Sequence, residues 1–208
     1  MMTPQNLGCL AGVVVAFSLC SCAGTKSEPA YTGPRTPPAQ PTVYEWNEEL
    51  ASTVKGAPRI RIGLKQQKAT FYKGNTEIGW TAVASGLPSH PTPTGSFKIL
   101  EKTVDKHSNL YGRIYNASGG LVNGDADTRE DKVPPGGRFE GSFMKYWMRL
   151  TSGGVGMHVG PQPRPGYRAS HGCIRLPEYM AERFYRNVSL GTPVTIVADD
   201  GTEPLSHA

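Results

Sequence analysis

Between residues 58 and 199, apolar residues recur at every second position in several short runs and at every fourth position in one run only. Period two places alternate side chains on opposite faces of a strand, whereas a spacing of three to four places them on one face of a helix. The run from 59 to 71 sets Ile60, Ile62 and Leu64 against Arg59, Arg61, Gly63 and Lys65, turns at Gln66 and Gln67, and resumes at Ala69 and Phe71. That is the pattern of a half-buried hairpin. Further strands are expected over 77–85, 95–102, 145–150 and 155–158. The single convincing helix starts near Pro177, a residue suited to a first helical turn; Leu176, Met180, Phe184 and Val188 form its apolar stripe, and Gly191 stops it. "TPVTIVAD" then gives a closing strand with Val194 and Ile196 on one face and Thr195 and Val197 on the other. The expected fold is mainly β, antiparallel or mixed, with one helix packed on it.

Residues 58–199 suit one domain by length. From Asp105 to Phe143 the chain is rich in Gly, Asp, Arg, Asn and Pro, and "VNGDADTREDKVPPGGRFEG" lacks apolar periodicity, so a long loop is expected there. Such a loop is either a lid or wall of an active-site groove or a solvated insertion. The net charge is +5, with no run of five Lys or Arg. This excludes a nucleic-acid patch and leaves a mild attraction to an anionic matrix such as a cell wall.

The apolar, uncharged run from Leu10 to Leu19 is shorter than the roughly 18 residues that span a bilayer. It reads as the core of a signal peptide over 1–21, whose positive end is the terminal amine alone. "LCSCAG" resembles the lipobox of bacterial lipoproteins, with Leu19 at −3, Ser21 at −1 and Cys22 as the lipidated residue. The alternative is an ordinary cleaved signal rich in cysteine. Lipidation implies membrane attachment through acyl chains, and by resemblance to enterobacterial lipoprotein sorting Ala23 in place of Asp favours the outer membrane, for a cell-envelope or periplasmic location. Residues 22–57 form a tether with Pro29, Pro34, Pro37, Pro38 and Pro41. Within it, Tyr44, Trp46, Leu50 and Val54 have the spacing of a short helix on the domain edge. Residues 200–208 are a tail.

Three cysteines, Cys9, Cys20 and Cys22, crowd the first segment, and Cys173 stands alone in the domain. It has no partner there for a disulfide, and an idle thiol in an oxidising compartment is a liability. His171 and Gly172 precede it and Arg175 follows, polar and cationic neighbours that lower a thiol's pKa and point to a reactive nucleophile. The competing readings are an inert packing residue and a zinc ligand shared with His158 and His171. For acyl transfer the thiolate needs a base and donors for an oxyanion. His158 closes "GVGMHVG" at a strand end and is the best base. An extended backbone places His171 on the same face as Cys173, to assist, bind substrate or hold the thiolate. His90, His107 and His207 fall in loops or the tail and are expected to be solvated. Gly172 permits close approach or an unusual backbone angle, and the Cys173 N–H with its neighbours suits an oxyanion hole.

"MHVG…YRASHGCIRLP" resembles the signature of the L,D-transpeptidase (YkuD-type) family, in which a first His precedes a Ser/Thr-His-Gly-Cys motif. "TPTGSFKI" from Thr92 to Ile99 and the opening strands from Arg59 are similar to that family as well. The resemblance implies a β-sandwich or barrel with a helix after the catalytic cysteine, and no cofactor or metal. It implies Cys173 as nucleophile, His158 as general base, and Ser170, His171, Gly172 and Arg175 as the pocket. The implied reaction is attack on the third residue of a peptidoglycan tetrapeptide stem, release of D-Ala, and acyl transfer to an amine. That amine belongs to another stem peptide, giving a 3→3 cross-link, or to an acceptor protein. Water as acceptor would make a carboxypeptidase or hydrolase, and loss of chemistry would leave a peptidoglycan-binding lipoprotein. Arg175 stands where many members carry Asn, and only the eleven residues 159–169 separate His158 from Ser170.

Overall fold

The structure is a computed structural model that describes residues 42–199 and residue 201. The expected signal peptide, Cys22, most of the tether, Asp200 and residues 202–208 with His207 lie outside the described residues. In chain order the elements are β1 (Tyr44–Trp46), α1 (Glu48–Thr53), β2 (Pro58–Gly63), β3 (Lys68–Lys73), β4 (Thr76–Ala82), β5 (Gly95–Lys98), β6 (Glu101–Thr103) and β7 (His107–Tyr115). They continue with β8 (Leu121–Asp127), β9 (Arg138–Phe143), β10 (Trp147–Arg149), β11 (Gly156–Val159), β12 (Ile174–Leu176), α2 (Glu178–Asn187) and β13 (Pro193–Val197). Three sheets result, ordered β1-β4-β3-β2-β13-β5, β12-β11-β10-β6 and β8-β7-β9.

The first sheet grows from the alternation of the opening hairpin. β2 and β3 pair antiparallel with Ile60 opposite Phe71 and Ile62 opposite Ala69, and β13 joins in parallel with Val194 beside Ile60 and Ile196 beside Ile62. One face therefore carries a sheet of buried aliphatic and aromatic groups. On the other face the Arg59 guanidinium lies 4.0 Å over the Tyr72 ring. α2 covers the apolar face with Met180, Ala181 and Phe184. The Phe184 and Phe71 rings stand 5.3 Å apart, and Trp46 meets Phe71 at 5.3 Å. Burying side chains of this size supplies about 1.5–3 kcal/mol each, so this aromatic cluster is a principal source of stability. Pro177 occupies the N-cap position of α2, where its missing N–H costs nothing.

Three segments differ from their sequence expectation. The tether read as ending at 57 enters the fold earlier: β1 pairs with β4, and the Tyr44 ring stacks on Tyr179 of α2 at 5.1 Å. Asn47 caps α1 by accepting the Leu50 N–H at 2.9 Å. The strand expected over 95–102 is two strands in two sheets, because buried Ile99 and the Leu100 N–H bond to the Arg149 carbonyl turn the chain between them.

The expected long loop is a three-stranded antiparallel sheet, β8-β7-β9. Register shifts at Gly112, Ile114 and Tyr115 break the alternation that would have revealed it. A side chain on Gly141 would bring its Cβ within 1.9 Å of the Ser108 carbonyl, so glycine is what lets β9 lie against β7.

Candidate active site

β11 and β12 run parallel with Met157 opposite Ile174 and His158 opposite Arg175. Met157 and Ile174 are fully buried in the core. Because side chains alternate along each strand, His158 and Arg175 face the other way. Cys173 and His158 both line one cavity of about 70 Å³ there, together with Ser170, His171 and Arg175. The β7–β9 sheet supplies its opposite wall, with Tyr111 and Asp125 among the lining side chains. Of the six residues expected as nucleophile, base and pocket, Gly172 alone is absent from the lining, and it shapes the turn behind it.

That turn is held by its own side chains. The Ser170 hydroxyl donates to the Cys173 carbonyl in a short hydrogen bond and accepts the Gly172 N–H at 3.1 Å. Gly172 has φ +109°, a conformation that only glycine adopts without strain. Its carbonyl accepts from the Thr92 hydroxyl at 2.8 Å, and the same hydroxyl accepts the Gly86 N–H at 2.8 Å. Thr92 opens the "TPTG" segment. Downstream, Arg175 exchanges both backbone hydrogen bonds with Ala84 at 2.9 and 3.0 Å.

The His158 Nδ1 lies 2.7 Å from the Val159 carbonyl. A carbonyl only accepts, so Nδ1 carries the proton and Nε2 is left bare. Burial pushes this imidazole down to about 4; the Val159 hydrogen bond opposes that shift and the Arg175 charge adds to it. The ring is therefore neutral at pH 7.

Cys173 is unpaired, and its Sγ sits 3.7 Å from the Gly154 carbonyl. Burial pushes its thiol up, outweighing a backbone hydrogen bond from Gly156 and the charges of Arg175 and Arg149. This corrects the expectation that cationic neighbours hold a thiolate at rest. Sequence shows flanking charge but not the desolvation that penalises ionisation. Nor is His171 committed to the sulfur: its ring stacks on Tyr111 at 4.4 Å, meets His90 edge-on at 4.8 Å, and places Nε2 3.7 Å from an Asp125 oxygen.

His90, expected to be solvated, is half-buried in that stack. His107 is exposed but lies on β7 against Phe143 rather than in a loop. Tyr111 and Asp125 went unnoticed because they belong to a segment without periodicity, and nothing local marks them. Among the described residues no three His, Cys, Asp or Glu side chains are placed to share a metal ion.

A lone thiol and a neutral imidazole on one face of a parallel strand pair, inside a mainly β domain, define a cysteine-containing catalytic-type domain. The chain belongs to the YkuD family: the model of the L,D-transpeptidase catalytic domain matches residues 57–196. L,D-transpeptidase 1 of Mycobacterium tuberculosis is 26% identical over 163 residues, 67% of this chain and 57% of that protein. Probable L,D-transpeptidase 3 of the same organism is 32% identical over 123 residues, 58% of this chain and 39% of that protein. The chain thus spans about half the length of the curated relatives it matches. The crystal structure of L,D-transpeptidase 3 from M. tuberculosis superposes with a TM-score of 0.52 at 25% identity, covering 68% of this chain and 61% of that one.

A raised thiol has a direct consequence. The thiolate is the reactive form, so alkylation of Cys173 by iodoacetamide in the purified domain should accelerate with pH up to an inflection above the ordinary cysteine range of about 8.5–9. Intact mass against pH measures this, and an inflection below pH 7 would restore the resting thiolate.

Proposed function

We propose that this domain is an extracytoplasmic L,D-transpeptidase that acts on peptidoglycan stem peptides through Cys173 and His158. One observation carries the reading: Cys173 faces the same cavity as a buried His158 whose Nδ1 proton is committed to Val159, leaving Nε2 able to take a proton. In the proposed reaction Sγ attacks the carbonyl of the stem's third residue while its proton passes to His158 Nε2. The backbone N–H of Cys173 and its neighbours donate to the oxyanion. Collapse breaks the bond to D-Ala, whose nitrogen leaves with the proton from His158, and a thioester remains. An acceptor amine then attacks the thioester, loses its proton to His158 and regenerates the thiol. Family membership supports the substrate class, and Arg175 at the cavity offers a cation for a substrate carboxylate.

The reading extends to location. The "LCSCAG" segment makes this a lipoprotein anchored through Cys22, in the cell envelope on the outer membrane, with a stem peptide or an envelope protein as acyl acceptor. No helix of the described residues is long and apolar enough to cross a membrane.

Purified soluble domain should form a covalent adduct with a carbapenem, seen by intact-protein mass spectrometry, and Cys173→Ala should abolish it. An adduct that persists in the variant refutes the assignment. With defined muropeptides, cross-linked dimer identifies an amine acceptor, and tripeptide alone identifies water.

His158→Ala should keep the fold and lower turnover by roughly 10²–10⁴-fold, the usual worth of a general base. Near-normal rates would move that role to another group.

Cells given a clickable fatty acid should label the full-length protein, and Cys22→Ser should lose the label. Retained label would exclude Cys22 as the anchor.

A further inference from the structure

Gln67 combines two features that are each unfavourable alone. It is a polar side chain only 3% exposed, and it is a non-glycine residue at φ +49°. A buried amide is tolerated only when its hydrogen bonds are made, and a left-handed backbone is strained for a side chain of this size. A tight turn between β2 and β3 requires neither feature, since Gly or Asn would take the same angle with less strain.

The hydrogen bonds show what the strain secures. Gln67 Nε2 donates to the Leu64 carbonyl at 2.6 Å and to Ser85 Oγ at 2.7 Å. Its Oε1 accepts the Ser85 N–H at 2.8 Å, and its own carbonyl accepts the Val83 N–H at 2.8 Å. Ser85 is thus gripped at both its hydroxyl and its backbone nitrogen, and it is fully buried. Its remaining backbone group, the carbonyl, accepts two N–H groups from the cysteine segment, Ala169 at 3.0 Å and Ser170 at 3.1 Å. Ser170 in turn holds the Cys173 carbonyl and the Gly172 N–H through its hydroxyl.

We infer that Gln67 is a positioning residue for the Cys173 turn, acting through Ser85 and Ser170 along an unbroken buried hydrogen-bond path. The inference rests on the reading of Cys173 as an acyl-transfer nucleophile. Gln67 is not among the residues that line the cavity, and its side-chain hydrogen bonds go to Leu64 and Ser85. Its effect is to fix where the backbone at residues 169–173 lies, and with it the direction of Sγ and of the N–H groups proposed to face the oxyanion.

Gln67→Asn tests this in the soluble domain. Asn accepts the left-handed angle, so the turn is kept, but it is one methylene too short to hold Ser85. Two rates are compared well below the melting temperature: acylation by a carbapenem, which needs an aligned thiol and oxyanion donors, and alkylation by iodoacetamide, which needs only a reachable thiolate. The expected result is acylation slowed by about 10- to 100-fold, as small misplacements of a reacting group produce, with alkylation within about twofold of wild type. Gln67→Gly carries the same expectation and serves if the first variant does not fold. Unchanged acylation in a folded variant overturns the inference, and so does an equal fall in both rates, which would signify lost access rather than lost alignment. Failure of both variants to fold makes Gln67 a core residue only and overturns it as well. A wild-type domain inert to the carbapenem defeats the acyl-transfer reading itself, an outcome distinct from these.

Discussion

The parallel pairing of β11 with β12, in a register that sets Met157 against Ile174 and His158 against Arg175, is the constraint on which the site depends. A slip of one residue would exchange the faces, driving the imidazole and guanidinium into the core and the two apolar side chains into the cavity. Burial fixes the register, since Met157 and Ile174 join one core cluster with Met180 and Phe184 of α2. The helix after the cysteine therefore does more than cover the sheet. By demanding apolar partners at Leu176 and Ile174, it sets which side chains remain for chemistry.

The same burial decides the charge state of the pair. Desolvation disfavours whichever form is ionised, raising the thiol and lowering the imidazole together, so that both rest neutral. A neutral pair suits the proposed reaction, because charge then appears only as the sulfur attacks and its proton moves. Arg175 and Arg149 favour negative charge on the sulfur, and Arg175 disfavours positive charge on His158. The cations thus help the thiol ionise while keeping the base weak, and the conjugate acid of a weak base gives its proton readily to a leaving amine.

The sequence made legible whatever depends on regular spacing. The Ile60, Ile62 and Phe71 alternation, the four-residue stripe of α2 and the closing strand at Val194 and Ile196 all follow from periodicity, because one buried face repeats at a fixed interval. What escaped depends on contacts between distant segments. β7–β9 hid behind register shifts and glycines, and β1 is a strand only because β4 offers it an edge. The sign of the thiol's shift escaped for a related reason: Arg175 is visible two residues away, whereas the loss of water around Cys173 is created by the whole fold. Asp125 and Tyr111 were invisible as site residues because their place at the cavity comes from pairing across β7 and β8.

The two walls of the cavity are built with different firmness. On the side of Cys173 the backbone from 169 to 175 is tied down by Ser85, Thr92 and Ala84, and Ser85 and Thr92 are buried. On the other side the β8-β7-β9 sheet shields few apolar groups, chiefly Ile114 and Ala126, and leaves Leu121, Val122 and Phe143 at least half exposed. Regions with few buried contacts open at lower free energy than core strands. In the proposed reaction a peptide substrate needs room to enter, whereas the sulfur needs a fixed direction, and precise constellations belong on rigid elements. On that proposal the division places the less firmly packed wall where the peptide enters and the pinned turn where the bond is made, with His171 between them, stacked on Tyr111 and two residues from the sulfur.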